Sequence, residues 1–186
     1  MINYPTMKKN SEYIRKNNNR ANQGMALEEM INRTNEYYAA NNIAFVNKRP
    51  TNIKILKTSD KYKITEAVFL TPSTLDYVGI CDGYYIDFEA KETSSTKGFP
   101  MSNIASHQLD AMKSIISQKG ITFAIVFLKS FGEIYLIDGQ TLIDAYNNNI
   151  KIIPYEDIKQ IGHLIKENYF AVVDYIKILK AKYFEK

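Results

Sequence analysis

The chain has 186 residues, 45% hydrophobic and 24% charged, with a formal net charge of +4, which is the size of one domain with a sizeable core and the composition of a soluble globular protein. No apolar run nears the ~20 residues that span a bilayer and the N-terminus has no apolar signal core, so a membrane association is excluded and a cytoplasmic location expected. The lone Cys81 excludes an internal disulfide, and no Cys/His cluster has zinc-ligand spacing.

Residues 1–22 carry Lys8, Lys9, Arg15, Lys16 and Arg20 against Glu12 and show no apolar period. They read as a flexible basic arm, either ordering on DNA or remaining a solvated tail. Residues 23–186 read as the folded domain. From Met25 to about Asn41, Leu27, Met30, Ile31, Thr34 and Tyr38 recur at helical spacing, predicting an amphipathic helix. Its Glu28 and Glu29 are either ordinary first-turn acids favoured by the helix dipole or a supporting active-site carboxylate. Ile43 to Val46 predicts a strand ended by Pro50. Asn52 to Leu56 and Glu66 to Thr71 then predict two strands around a charged tip, a hairpin at about 52–71 lying outside the core. Residues 47–63 hold Lys48, Arg49, Lys54, Lys57, Lys61 and Lys63 against Asp60. Two basic segments flanking an acidic remainder suit a protein that grips phosphate backbone and holds cations at its centre. Lys57, Lys61, Lys63 and Arg20 are the candidate DNA contacts.

The stretch from Thr74 to Lys91 carries the chemistry. Asp82-Gly83 between two aromatic and β-branched runs predicts a type I′ hairpin, because both residues tolerate positive φ. Cross-strand partners then sum to 165, placing Asp76 opposite Glu89 and Thr74 opposite Lys91 on one side of the sheet. Carboxylates so paired have Cβ atoms only ~5 Å apart and repel. A divalent cation such as magnesium offsets that cost, bound by one or two carboxylates plus water and phosphate, with Thr74 able to add an oxygen. Alternation places Tyr84, Ile86, Phe88 and Ala90 on the apolar side, so the acidic side is expected away from the core. The competing reading is a solvated strand face with weak ion pairs.

Ser94 to Pro100 predicts a loop beside this site, and Ser102 an N-cap for a helix running to about Gln118 and stopped by Gly120. His107 reads as a packing residue. Ile121 to Leu128 predicts a strand covered on both faces, and Glu133 to Ile137 its partner. Short helical patterns follow near Leu142 to Tyr146, after Pro154, and from about Val172 to Phe184, with Ile and Tyr suited to packing or a dimer surface. The order of elements fits an α/β core with a mixed sheet.

Asp76, then Glu89-x-Lys91, matches the PD-(D/E)xK nuclease signature, with Ser73 and Leu75 in place of a local Pro-Asp. In addition, Gly24-Met25-Ala26-Leu27-Glu28, Asn47-Lys48-Arg49-Pro50-Thr51, Thr74 to Gly79, Tyr85 to Thr93, Phe99-Pro100 and His107-Gln108 fall in the order and spacing of one family. Over about residues 20 to 137 the chain resembles the RecU-type Holliday junction resolvases. The resemblance implies a restriction-endonuclease-like mixed sheet flanked by helices, with a protruding basic β-hairpin stalk. It also implies a homodimeric, magnesium-dependent endonuclease, with manganese as a substitute, that resolves four-way junction DNA in recombination and repair. A recombinase is a further candidate partner. Asp76, Glu89 and Lys91 would be catalytic, and Thr74, Asp76, Glu89 and Gln108 would hold the metal; Gln108 enters on the resemblance alone. Gln23 stands where the family has Arg, putting a phosphate contact there in doubt. The rival readings are a same-fold nuclease acting on linear duplex and a non-cutting module that binds branched DNA or a recombinase.

Overall fold

The computed structural model describes residues 26–60, 63–70, 74–166 and 168–184. The expected arm at 1–22 with Arg20, together with Gln23 and Lys61, lies outside the described residues.

Helix α1 spans Leu27–Ala40 and turns Leu27, Met30, Ile31, Thr34 and Tyr38 inward, as its spacing predicts. It precedes strands β1 (Phe45–Lys48), β2 (Ile53–Asp60), β3 (Lys63–Phe69), β4 (Tyr77–Cys81) and β5 (Tyr84–Thr93). After β5 come β6 (Gly98–Pro100), a 3-10 turn at Met101–Asn103, α2 (Ser106–Ser117), β7 (Ile121–Leu128) and β8 (Glu133–Asp138). The chain continues through α3 (Gly139–Asn147), β9 (Ile152–Pro154), α4 (Tyr155–Ile161), β10 (His163–Ile165) and α5 (Tyr175–Leu179), whose last turn widens to a π-helix at Lys180–Phe184. Six strands form one sheet in the order β1-β4-β5-β7-β8-β10. Only β5 and β7 run parallel, making the sheet mixed.

Each face of the sheet carries its own core. On one side α1 and α5 cover Val46, Tyr77, Ile86, Phe88, Phe123 and Ile125. There the Phe88 ring stacks between Tyr77 and Phe123, at centroid distances of 4.9 and 4.7 Å. The C-terminal segment is latched to α1 by polar bonds: the Tyr38 hydroxyl donates to Asp174 Oδ1 at 2.8 Å and the Tyr175 hydroxyl to Asn35 Oδ1 at 2.6 Å. Tyr175 is therefore core rather than dimer surface. On the other side, the first turns of α2 together with α3 and α4 cover Ala124, Val126, Leu128 and Ile137.

The hairpin turn has the predicted form, with Asp82 at φ 49° and Gly83 at φ 83°. All five β4–β5 pairs, from Cys81↔Tyr84 to Tyr77↔Phe88, obey the expected register. The expected pairing of Thr74 with Lys91 is not made, because the ladder ends at Tyr77 and Thr74 is exposed in irregular chain. A second expectation also fails: the acidic side of β5 is buried, with Asp87 and Glu89 as closed to solvent as Ile86 and Phe88. Local alternation identifies two faces of a strand but cannot say that helices from later in the chain cover both.

The strands at 52–71 are longer than the apolar runs suggest and form a separate two-stranded sheet whose described side chains are exposed. Lys57 is salt-bridged to its cross-strand partner Glu66 at 2.8 Å, which stretches the ladder into the charged region. The segment expected to be a loop ends in β6, which pairs with β9. Gly98 makes this contact possible, since a Cβ there would stand 2.1 Å from the Ile153 carbonyl oxygen and its φ is +133°. Ser102 is not the helix cap; it sits in the 3-10 turn, and α2 starts after Ala105.

Candidate active site

The site forms where β4 begins and β5 passes it. Asp76, one residue before β4, sends its carboxylate across to β5, where Oδ2 accepts the Ala90 N–H at 3.1 Å. Glu89 faces it from the same side as Asp87 and Lys91, by the two-residue period of a strand. The Glu89 side chain is 0% exposed, beneath the N-terminal end of α2.

Three polar groups converge on Glu89. Its Oε1 accepts from Lys91 Nζ at 2.5 Å and from Gln108 Nε2 at 2.6 Å. Its Oε2 is buried and has no hydrogen-bond partner among the described residues. Burial, above all, pushes the Glu89 carboxyl up to about 7, helped by the neighbouring charge of Asp76 and opposed by Lys91. An ionised, buried carboxylate with one idle oxygen beside a second carboxylate is costly unless a cation completes it. These residues fit a divalent ion held by two carboxylates and otherwise by water and substrate oxygens. No group of three or more His, Cys, Asp or Glu residues suited to a metal occurs among the described residues.

Gln108 is fixed by its place in the helix. As the third residue of α2, its Oε1 accepts the Ala105 N–H at 2.9 Å, reaching back as in a capping box and leaving its amide N–H for Glu89. Lys91 is 26% exposed, bridging the buried carboxylate and the surface. Thr74 is exposed and joins none of these bonds. His107 is exposed rather than packed. Glu28 is exposed and bonded to Lys48 at 2.5 Å, matching the first-turn reading.

Two arrangements next to the site were missed. Buried Asp87 is paired with Arg49 and accepts the Tyr85 hydroxyl at 2.8 Å. Glu92 accepts the Leu27 N–H at 2.6 Å and is ion-paired with Lys129, tying the start of α1 to the end of β5. A signal existed for the first, because Asp87 stands two residues before Glu89 on the same strand face. Glu92 offered none, since its partners are 65 and 37 residues away.

Mixed sheet, hairpin and the Asp, Glu-x-Lys constellation define the class of the protein, a nuclease of the PD-(D/E)xK kind. The family described as recombination protein U, RecU, matches residues 22–181, and the chain belongs to that family. Relatives named Holliday junction resolvase RecU from Bacillus cereus (strain AH820) and Bacillus anthracis (strain A0248) are each 42% identical over 172 residues, spanning 88% of this chain and 86% of theirs. Among solved structures, the Holliday junction resolvase Hjc of Archaeoglobus fulgidus aligns with a TM-score of 0.38 and 12% identity over 53% of this chain and 76% of its own, a likeness too distant to bear on the site.

A cation held by Glu89 would have to displace the proton of its carboxyl. Below pH 7 the apparent affinity for a divalent ion should therefore fall about tenfold per pH unit, and above it level off. Calorimetric titrations between pH 5.5 and 8.5 measure this, and an affinity flat across pH 7 would remove Glu89 from the ligand set.

Proposed function

We propose that this protein is a magnesium-dependent endonuclease that resolves Holliday junctions as a homodimer in the cytoplasm. The observation that carries the reading is the buried Glu89 with an unpartnered oxygen, facing Asp76 and closed by Lys91, in a chain of the RecU family. Asp76 and Glu89 would hold the ion, which would supply a bound water of lowered pKa and neutralise charge gathering on the phosphate oxygens. Gln108 and Lys91 both engage Glu89 Oε1, leaving Oε2 as the oxygen that would be free for the ion. Lys91, within reach of both carboxylate and surface, orients the attacking water or stabilises the phosphorane-like anion. Thr74, exposed beside Asp76, is a candidate for a further oxygen once substrate arrives.

The exposed β2–β3 stalk is the candidate branch reader. Two copies related by a twofold axis present two sites to symmetry-related strands, matching a four-way junction better than a linear duplex. Lys57, Lys61 and Lys63 would bring positive charge to the junction centre, where phosphates of four arms crowd, and Arg20 would extend the grip along one arm. Exposed Ile55, Leu56, Ile64 and Val68 on the same stalk suit contact with a second stalk or with unstacked bases.

The deciding experiment compares cleavage of a mobile-core junction with that of its matching linear duplex, with Mg2+ and at one fixed salt concentration. Preferential paired incision of the junction is expected. Equal cutting of both would favour the linear-duplex nuclease, and binding without metal-dependent cutting the non-catalytic module. Neutralising Lys57, Lys61 and Lys63 together should lower the junction-over-duplex ratio while leaving Mg2+ binding unchanged; an unchanged ratio in a folded dimer would take branch reading away from the stalk.

A further inference from the structure

The stalk is inserted in the chain between the paired strands β1 and β4, and one residue closes the point of insertion. The β1–β4 ladder runs outward as far as Lys48 opposite Tyr77. One step further, the Arg49 N–H donates to the Asp76 carbonyl at 2.7 Å, a last rung before the two chains diverge. Beyond it the stalk closes its own base, with the Leu70 N–H on the Asn52 carbonyl at 3.0 Å. Arg49 is thus bonded through its backbone to the residue whose carboxylate stands in the site.

Its side chain is fixed separately. Arg49 Nη2 donates to Asp87 Oδ2 and, at 3.2 Å, to the Tyr85 hydroxyl, which itself donates to the same Asp87 oxygen. Asp87 is 1% exposed, and Arg49 is its ionic partner among the described residues. A buried carboxylate stripped of its cation is strongly destabilised, so the pair fixes the guanidinium in place rather than decorating the surface. Both bonds come from the one nitrogen Nη2, which bridges Asp87 and Tyr85, while Arg49 Nε and Asp87 Oδ1 are buried without a hydrogen-bond partner among the described residues. Asp87 lies on the β5 face that also carries Glu89 and Lys91, so the anchor and the catalytic constellation share one strand.

We propose that Arg49, pinned by Asp87, is a positioning residue for Asp76, holding the root of the stalk and the metal-binding end of β4 as one unit. Placement of the Asp76 carboxylate then depends on a side chain that touches neither ion nor phosphate, and a displacement of the stalk is felt at the metal. The proposal rests on Asp76 and Glu89 being the cation site.

The test is calorimetric titration of the full chain with Mg2+ alone. Arg49→Gln removes a positive charge from beside a cation site, so a purely electrostatic role would leave Mg2+ binding as tight or tighter. The positioning role gives the opposite result, an affinity about 10- to 100-fold weaker, as for other residues that orient metal ligands, with cleavage returning as Mg2+ is raised. Arg49→Lys keeps the charge but shortens the reach of the side chain to Asp87 and Tyr85, and its affinity should fall between the two; it decides alone if Arg49→Gln does not fold. Wild-type Mg2+ affinity in the folded Arg49 variants overturns the proposal. Glu89→Gln tells the two failures apart. If it binds Mg2+ like the wild type, the cation site itself is misassigned and the positioning role falls with it; if it loses Mg2+ while the Arg49 variants keep it, only the positioning role falls.

Discussion

Glu89→Gln should abolish metal-dependent cleavage, leave junction binding nearly intact, and stabilise the metal-free protein above pH 7. The first two effects follow from removing a ligand charge at constant shape, far from the exposed stalk. The third follows from the buried carboxyl, whose pKa rises from 4.5 to about 7 on folding. For an acid raised on folding, the favourable contribution is full below the unfolded value near 4.5 and is lost as pH climbs through 7. A shift of this size corresponds to roughly 3 kcal/mol, at 1.36 kcal/mol per pH unit. Glutamine carries no such penalty, so the variant should melt several degrees above the wild type at pH 8 without metal, with the gap closing near pH 5. Saturating Mg2+ should reverse the order by stabilising only the wild type. Asp76→Asn should also end cleavage, and because the Asp76 charge helps raise the Glu89 carboxyl, it should move that titration downward. Residual cleavage in either variant, or a Glu89→Gln protein that melts lower at pH 8 without metal, would sink the assignment of a strained metal-ligand pair.

The hairpin and its carboxylates were legible in the sequence because they depend on local rules. Asp82-Gly83 dictates the turn, the turn dictates the register, and the register brings Asp76 to Glu89. What was not legible depends on chain far away in sequence. The burial of Glu89 is imposed by α2 and its Gln108, nineteen residues on, and no alternation within β5 reports it. Strands β6, β9 and β10 have three residues each, too short to show a period. The Arg49–Asp87 pair needed the β1–β4–β5 order before its two halves could be seen as neighbours. Thr74 departs from the hairpin register for the reverse reason, since the ladder ends at Tyr77 and gives way to the root of the stalk.

Lys91→Ala should slow cleavage by ~10² to 10³, the usual loss when one preorganised electrostatic stabiliser is removed. Two routes lead to such a loss, and they differ in what restores the rate. Lys91 Nζ lies 2.5 Å from Glu89 Oε1 and opposes the upward push that burial exerts on the Glu89 carboxyl. Without it, the Glu89 proton binds more tightly, and the pH dependence of metal binding moves to more alkaline values. If that were the whole role, saturating Mg2+ at high pH would bring the variant back to the wild-type rate. A lysine that acts on the attacking water or the phosphate leaves a deficit that metal and base cannot repair. Single-turnover cleavage of the junction at saturating Mg2+, followed from pH 6.5 to 9, separates the routes. We expect both an alkaline displacement of the profile and a lower plateau, because the 26% of the side chain that remains exposed places the ammonium where substrate can reach it while the buried carboxylate holds it. A plateau equal to the wild type would confine Lys91 to tuning Glu89.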